Sequence, residues 1–272
     1  MVRTASLSRH GGGDPSGHSA SPRRCLSSGV SKPAKNAPVS PSAPPLIIRV
    51  EPLRPRGLKV RLHLDRGEPL EITLEALERS RLGVGDPLPP DRQNRLLNDD
   101  ADIRVRDAAL NLISYRARTR AELRTRLRQK GFPPARIDPC LDRLQEKGFI
   151  DDGAVAEAFV RDRLRHRPKG KAALSSELRR KGVSTETAGT AIERVFDDAE
   201  TSDLALAREV AEQWAARQSA AVLEALASDT PSAERDKARR RLHGYLARRG
   251  FRGPALGTGM DRARDVARSG AR

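Results

Sequence analysis

The run Leu127-Arg128-Gln129-Lys130-Gly131-Phe132 returns as Leu178-Arg179-Arg180-Lys181-Gly182-Val183, and again, more loosely, as Leu246-Ala247-Arg248-Arg249-Gly250-Phe251. A leucine stands four residues ahead of each copy, at Leu123, Leu174 and Leu242. Downstream, Ile137, Leu141 and Leu144 hold the offsets of Ala188, Ile192 and Val195, and in the third copy of Leu256, Met260 and Ala263. The register therefore persists over a whole unit. A chain repeating roughly every 50 residues must bury its apolar faces against neighbouring copies, which predicts an elongated, curved array.

Each unit reads as three short helices. Leu123 and Leu127 share one helical face, and the glycine takes the position just past the helix end, where a positive φ is needed. Thr119 and Glu122 have capping-box spacing, and Ser184 is placed to cap the third helix of the second unit. An earlier helix completes each unit, over 108–115, 155–164 and 204–218. The step from Gly182 to Gly250 is longer than that from Gly131 to Gly182, and Asp229, Pro231 and Ser232 mark an insertion near 219–232. Only 3% of the 272 residues are aromatic while 37% are hydrophobic, so the core falls to Leu, Ala, Val and Ile, which suits small helical units.

Ahead of the repeats the period changes. Leu58, Val60, Leu62 and Leu64 alternate with polar residues as in a half-buried strand, flanked by candidate partners at 46–50 and 70–72. Asp65-Arg66-Gly67-Glu68 supplies a turn. Thr73 is placed to cap a helix over 74–81 ended by Gly83 or Gly85, and a second short helix is expected over 91–97. Residues 1–45 are rich in Ser, Gly, Pro and Arg with a single acid, too polar to offset their ordering entropy, and disorder is expected. This stretch reads as a flexible basic tail or the product of an upstream start codon, against the competing reading of an organellar transit peptide. Gly11-Gly12-Gly13 lacks the Gly-Lys-Ser/Thr ending of a phosphate loop.

The fold class expected is mainly α: a tandem array of three-helix repeats with a small β-containing N-terminal module and a disordered tail. The divisions are 1–45 (tail), 46–104 (β/α module), 105–151, 152–198 and 199–272 (three repeats, the third with its insertion and a frayed C-terminus).

The formal net charge of +16 favours polyanionic partners, although 36 acidic residues leave room for a protein partner. The densest basic stretch is Arg161, Arg163, Arg165, Arg167, Lys169 and Lys171. If the helix persists, Arg161, Arg165 and Lys169 form a ridge able to meet phosphates or a partner's carboxylates; the alternative is plain solvation of a helix end. Arg239, Arg240, Arg241, Arg248 and Arg249 form a second cluster open to the same two readings. Contacts to DNA would fall on phosphates and be salt-dependent. Tyr115, Phe149, Phe159 and Trp214 fall at apolar helical positions and are expected in the core. Cys25 and Cys140 form no CxxC pair, and Cys140, in register with Ala191, is expected to be an inert core residue. Asp151 and Asp152 could suggest a metal-dependent nuclease, but they precede an apolar helix that an acid would cap, and nothing nearby completes a two-metal set. No apolar run approaches the ~18 residues of a membrane span. A cytoplasmic, non-enzymatic monomer without cofactors or metals is expected.

At these residues a family resemblance enters. Ala109-Leu110, Ser114 to Thr119, Glu122-Leu123 and Lys130-Gly131-Phe132 resemble the opening signature of the RecX family. Leu144 with Gly148-Phe149-Ile150-Asp151-Asp152, Ala156 and Phe159 resembles its centre, and Lys169-Gly170, Glu177-Leu178 and Lys181-Gly182-Val183 its second unit. The resemblance covers 105–198 well and 199–250 more loosely. Residues 46–104 look like the β-containing extension of longer members. Ala117 departs from the pattern, which commonly has proline there. The resemblance implies a protein that docks along the groove of RecA filaments on single-stranded DNA, blocks their growth and inhibits ATP hydrolysis and strand exchange, with phosphate contacts to the DNA as a further implied interaction. The residues proposed for partner or DNA binding are Arg116, Arg118, Arg161, Arg165, Lys169, Lys171, Arg179, Arg180 and Lys181. The competing class is a helix-turn-helix-like regulator of double-stranded DNA.

Overall fold

The computed structural model describes residues 43–55 and 57–270. The expected disorder of the tail concerns residues that lie, up to 42, outside that range. Three strands, β1 (Ile47–Pro52), β2 (Lys59–Leu64) and β3 (Leu70–Thr73), form an antiparallel sheet in the order β1-β2-β3. Val60 pairs with Pro52 and Ile72, and Leu62 with Val50 and Leu70. Val60, Leu62 and Ile72 turn inward onto Ala76, Leu77, Leu96 and Ile103. Leu58, read as part of the buried face, precedes β2 and is 74% exposed. Gly67 takes φ +94° in the predicted turn.

Thr73 caps α1 (Leu74–Ser80), its hydroxyl accepting from the Ala76 amide. The helix stops at Arg81, itself left-handed at φ +52°, ahead of the glycines expected to end it. The next helix corrects the sequence reading more deeply. The helices expected over 91–97 and 108–115 are one, α2 (Pro90–Tyr115), running through the acidic run 98–102. Three of the polar groups there, Asn98, Asp100 and Asp102, are spent on tertiary contacts. Buried Asp100 accepts the Thr73 amide at 2.6 Å, and Asn98 and Asp102 receive Arg136 at 2.7 and 2.8 Å. Arg106 then forks onto Glu75 at 2.7 and 2.5 Å.

Two further helices complete the first unit, α3 (Arg120–Gln129) and α4 (Pro134–Glu146). The second unit is α5 (Asp152–His166), α6 (Lys171–Arg180) and α7 (Thr185–Asp198). The third begins with α8 (Asp203–Ala215) and closes with α10 (Ala233–Arg248) and α11 (Gly253–Gly270). Between them the insertion forms a helix of its own, α9 (Ala220–Ala227). Leu123, Leu127, Leu174, Leu178, Leu242 and Leu246 are all fully buried, as their spacing required. By area, a fully buried leucine contributes about 1.5–3 kcal/mol. In α11 the buried stripe is Ala255, Gly259, Ala263 and Ala267, leaving Leu256 and Met260 at its flank. A Cβ on Gly259 would lie 3.0 Å from the Ala207 carbonyl, so the glycine lets α11 approach α8. That packing keeps α11 helical to Gly270, where fraying was expected.

The side-chain N-caps of the repeats follow the sequence, but the reciprocal half of the expected capping box does not form, because the Glu122 carboxylate receives Lys181 and Arg116 instead. The hydroxyls of Thr119 and Ser184 and the carboxylate of Asp151 accept the amides of Glu122, Thr187 and Ala154. Gly131, Gly182 and Gly250 take φ of +87°, +81° and +87° just past α3, α6 and α10. Cys140 is buried beside Ile137 and Leu141, and burial pushes its thiol pKa up, so it is a small apolar side chain. Trp214 is buried, 6.4 Å from Tyr245 between ring centres. Two other aromatics correct the expectation of burial: Tyr115 is 79% and Phe149 53% exposed. Tyr115 is the last residue of α2 and Phe149 lies in the α4–α5 connection, so each has lost the neighbouring turn that would cover it.

A candidate partner and nucleic-acid interface at the unit junctions

Successive units meet through the start of one unit's second helix and the end of the next unit's. At the first junction the Thr119 hydroxyl donates to the Lys181 carbonyl at 2.7 Å, and Asp152 accepts the Arg120 amide at 2.8 Å. At the second, the Gly170 amide donates to the Arg249 carbonyl and Asp203 accepts the Lys171 amide, both at 2.9 Å. An aspartate thus satisfies an otherwise orphaned amide at the same register of α3 and of α6. It also explains Asp152, whose neighbour Asp151 alone caps α5. The pair that superficially offered a nuclease site is occupied by two helix caps, and no group of three or more His, Cys, Asp or Glu able to hold a metal occurs among the described residues.

The glycines explain the close approach. A Cβ on Gly182 would lie 2.1 Å from the Ala121 Cβ, and one on Gly250 would lie 2.4 Å from the Ala173 Cβ. This is a second demand on those glycines beyond their positive φ.

Above the first junction lies a cleft of about 360 Å³, lined from the first unit by Arg116, Arg118, Ala121, Glu122, Thr125, Arg126 and Gln129, and from the second by Arg179 to Gly182. Five of the sequence-predicted residues meet here: Arg116, Arg118, Arg179, Arg180 and Lys181. Arg118 is partly committed, its Nε donating to the Leu112 carbonyl at 3.0 Å. Arg179 and Arg180 are exposed and form no ion pair or side-chain hydrogen bond among the described residues. Glu122 receives Lys181 at 3.0 Å and Arg116 at 3.1 Å. Burial pushes its carboxyl up, but bonding to Lys181 and Arg116 outweighs this and holds it below the usual range.

Arg180 and Lys181 also border a second cleft, with Phe159, Arg163, Arg167, Lys169 and Glu177, so basic residues continue along the second unit. Half-buried Phe159 lies under Arg163 at 4.5 Å and Lys181 at 5.5 Å, as cation–π contacts. The expected ridge of Arg161, Arg165 and Lys169 does not form. α5 ends at His166, and Lys169, beyond it, turns to Glu177. Arg161 and Arg165 border a different groove with Leu164 and Asp198, where Arg161 reaches Asp198 at 3.4 Å while also pairing with Glu157 at 2.9 Å. Lys171 is held by Glu193 and the ring of Phe196. Thr125, Arg126 and Gln129 were not singled out from the sequence, and Glu122 was read only as part of a capping box and of the signature. Their spacing of three and four, opposite Leu123 and Leu127, marks one polar helix face and would have found them.

Comparison with known proteins places these units. The family model described as RecX, first three-helix domain, matches residues 106–144, and RecX, second three-helix domain, matches 151–192. The regulatory protein RecX of Halorhodospira halophila is 43% identical over 109 residues, which cover 40% of this chain and 65% of that protein, just under two thirds. The regulatory protein RecX of Mycolicibacterium smegmatis is 41% identical over 148 residues, 54% of this chain and 72% of that protein. A crystal structure of a regulatory protein RecX superposes with a TM-score of 0.61 at 20% identity, covering 80% of this chain and 99% of that one. At that identity the likeness speaks for the fold.

Proposed function

This chain belongs to the RecX family, and on that premise we propose that it is a negative regulator of RecA which docks along the groove of RecA filaments on single-stranded DNA and inhibits their extension, ATP hydrolysis and strand exchange. The observation that carries the reading is the cleft over the first junction, where cations from two successive units face one space. A surface assembled from two units suits a partner that itself repeats, because neighbouring subunits of a filament present the same acidic or phosphate groups at intervals. Obstruction is then steric: the docked array blocks subunit addition or entry of the second DNA strand. Arg116, Arg118, Arg179, Arg180 and Lys181 are the first contact residues in this reading, Lys169 lies on the continuing track, and Arg161 and Arg165 would serve only through a separate groove. Lys171 contributes least, being already paired.

The reading includes a monomer acting in the cytoplasm without cofactor or catalysis. Among the described residues no helix is long and apolar enough to cross a membrane. The test is RecA's single-stranded-DNA-dependent ATP hydrolysis during titration with the full chain. A fall at well below one molecule per RecA supports filament docking. Unchanged hydrolysis with folded protein rejects it, and tight sequence-specific duplex binding without RecA would establish the helix-turn-helix alternative.

A further inference from the structure

The cleft over the first junction already holds an anion, the carboxylate of Glu122. One oxygen takes Lys181 from the second unit and the other takes Arg116 from the first. Arg118, Arg126, Arg179 and Arg180 stand around the same space, so Glu122 is the one acid among six cations lining it. A single carboxylate cannot satisfy that many charges, and Arg179 and Arg180 are left with solvent. The geometry also marks where an incoming anion is best held, since the two cations gripping Glu122 come from different units.

We propose that phosphates of a single-stranded nucleic-acid backbone bind in this cleft and that Glu122 is their built-in competitor, giving up Arg116 and Lys181 as they enter. This deepens the reading of the cleft as a contact surface, on which it rests, by naming the ligand's chemistry and the residue that limits its affinity. Two features favour a nucleic acid over an acidic peptide. The basic track continues past Arg180 and Lys181 to Arg163, Arg167 and Lys169, which suits a backbone charged at every repeat. Tyr115, 79% exposed and next to Arg116 in the chain, offers an aromatic face of the kind on which an unpaired base stacks. Glu122 keeps the charges from lying wholly bare when the cleft is empty, at the cost of weaker binding when it fills.

The experiment is fluorescence anisotropy of a labelled 20-nucleotide oligo-dT against the full-length chain, without RecA, across a salt series. Glu122→Gln keeps the shape and removes the charge, and is expected to tighten binding roughly three- to tenfold; Glu122→Asp, which keeps the charge but shortens the reach, should fall between. The double variant Arg179→Gln/Arg180→Gln should weaken binding and flatten the slope of log K against log salt by about 1.4, at ~0.7 for each contact to a single strand. Circular dichroism of each variant confirms helix content. A folded Glu122→Gln protein that binds no tighter, or a double variant with unaltered slope, overturns the proposal. So does a poly-glutamate peptide that displaces the oligonucleotide at equal charge concentration. These readouts are independent of RecA: loss of ATPase inhibition with the oligonucleotide results intact would reject the filament reading alone.

Discussion

Where the second unit meets the third, Phe251 is fully buried and one apolar core runs from Ala156 on α5 to Ala267 on α11. Where the first meets the second, the same register holds the smaller Val183, and the first unit keeps a separate core from Val105 to Ile150. The polar joinery is nevertheless alike at both: a cap-position group bonded to a carbonyl, an aspartate on an amide, and a glycine under an alanine. Register and cohesion are therefore separate properties here. The hydrogen bonds and the glycine fix where units meet, and the residue after the glycine is the larger one where their cores are continuous. The basic cleft lies over the less fused junction.

The largest way to break the comparison is Phe251→Ala, which should cost about 3–5 kcal/mol. Val183→Ala should cost about 1–3 kcal/mol, on the usual scale of single core truncations. Urea unfolding followed by hydrogen exchange checks this, with the Phe251 variant loosening α5–α8 and α10–α11 together. Equal, local effects at both positions would mean that the cores are no more fused at one junction than at the other. Next is Gly182→Ala, expected to cost about 2–5 kcal/mol from the left-handed backbone and the collision with Ala121 together. Gly131→Ala meets nothing within 4 Å and should cost only the conformational part, about 1–2 kcal/mol. Thermal melts of the two variants side by side would show the difference, and equal shifts would count against a junction role for Gly182.

A smaller effect separates the connections between units. Gly148, between α4 and α5, takes φ +74°, while Glu200, between α7 and α8, is held at φ +47° without being glycine. Glu200→Gly should therefore stabilise by about 0.5–1 kcal/mol, and an unchanged or lowered melting point would refute it. The smallest effect is acidic. Glu122 has its folded-state pKa lowered, so its contribution is present above the unfolded carboxylate value and is lost as pH falls through the folded one. The charge pairing at the first junction should fade below about pH 4, and Glu122→Gln should remove a loss of under ~1 kcal/mol, the scale of a partly exposed pair. Stability measured from pH 6 to 3 in both proteins reads it directly.

Local signals were legible in the sequence and distant ones were not. Leu123, Leu127 and Gly131 announce a helix and its end within ten residues, Thr119 announces its N-cap, and Ser184 announces that of α7. The contact of Gly182 with Ala121 joins residues some sixty apart, and no pattern within either segment encodes it. The same holds for the acids at 99, 100 and 102, which lie between the helices expected over 91–97 and 108–115. The structure uses Asp100 and Asp102 as tethers to Thr73 and Arg136 instead. Periodicity placed Tyr115 and Phe149 inside because it reports the face of a helix and not where the covering neighbours stop. The cleft was half visible: its arginines lay in the motif, but Glu122 had been assigned to a capping box, and what its carboxylate binds instead depends on Lys181 arriving from the next unit.

The 26 residues of α2 give the N-terminal sheet a mechanical standing. At about 1.5 Å per residue the helix is a rod of roughly 39 Å. It carries Leu96 and Ile103 in the core of the sheet module, then Val105 and Ala109 in the core of the first unit. A pull or twist applied to the sheet is therefore delivered to the first unit without a soft coupling between them, as through a keyed shaft. A fragment cut near residue 104 would sever that shaft mid-length, and one cut just before Pro90 would keep the helix but leave Leu96 and Ile103 without the sheet they pack on, so a truncation that keeps the shaft seated has to begin before Ile47.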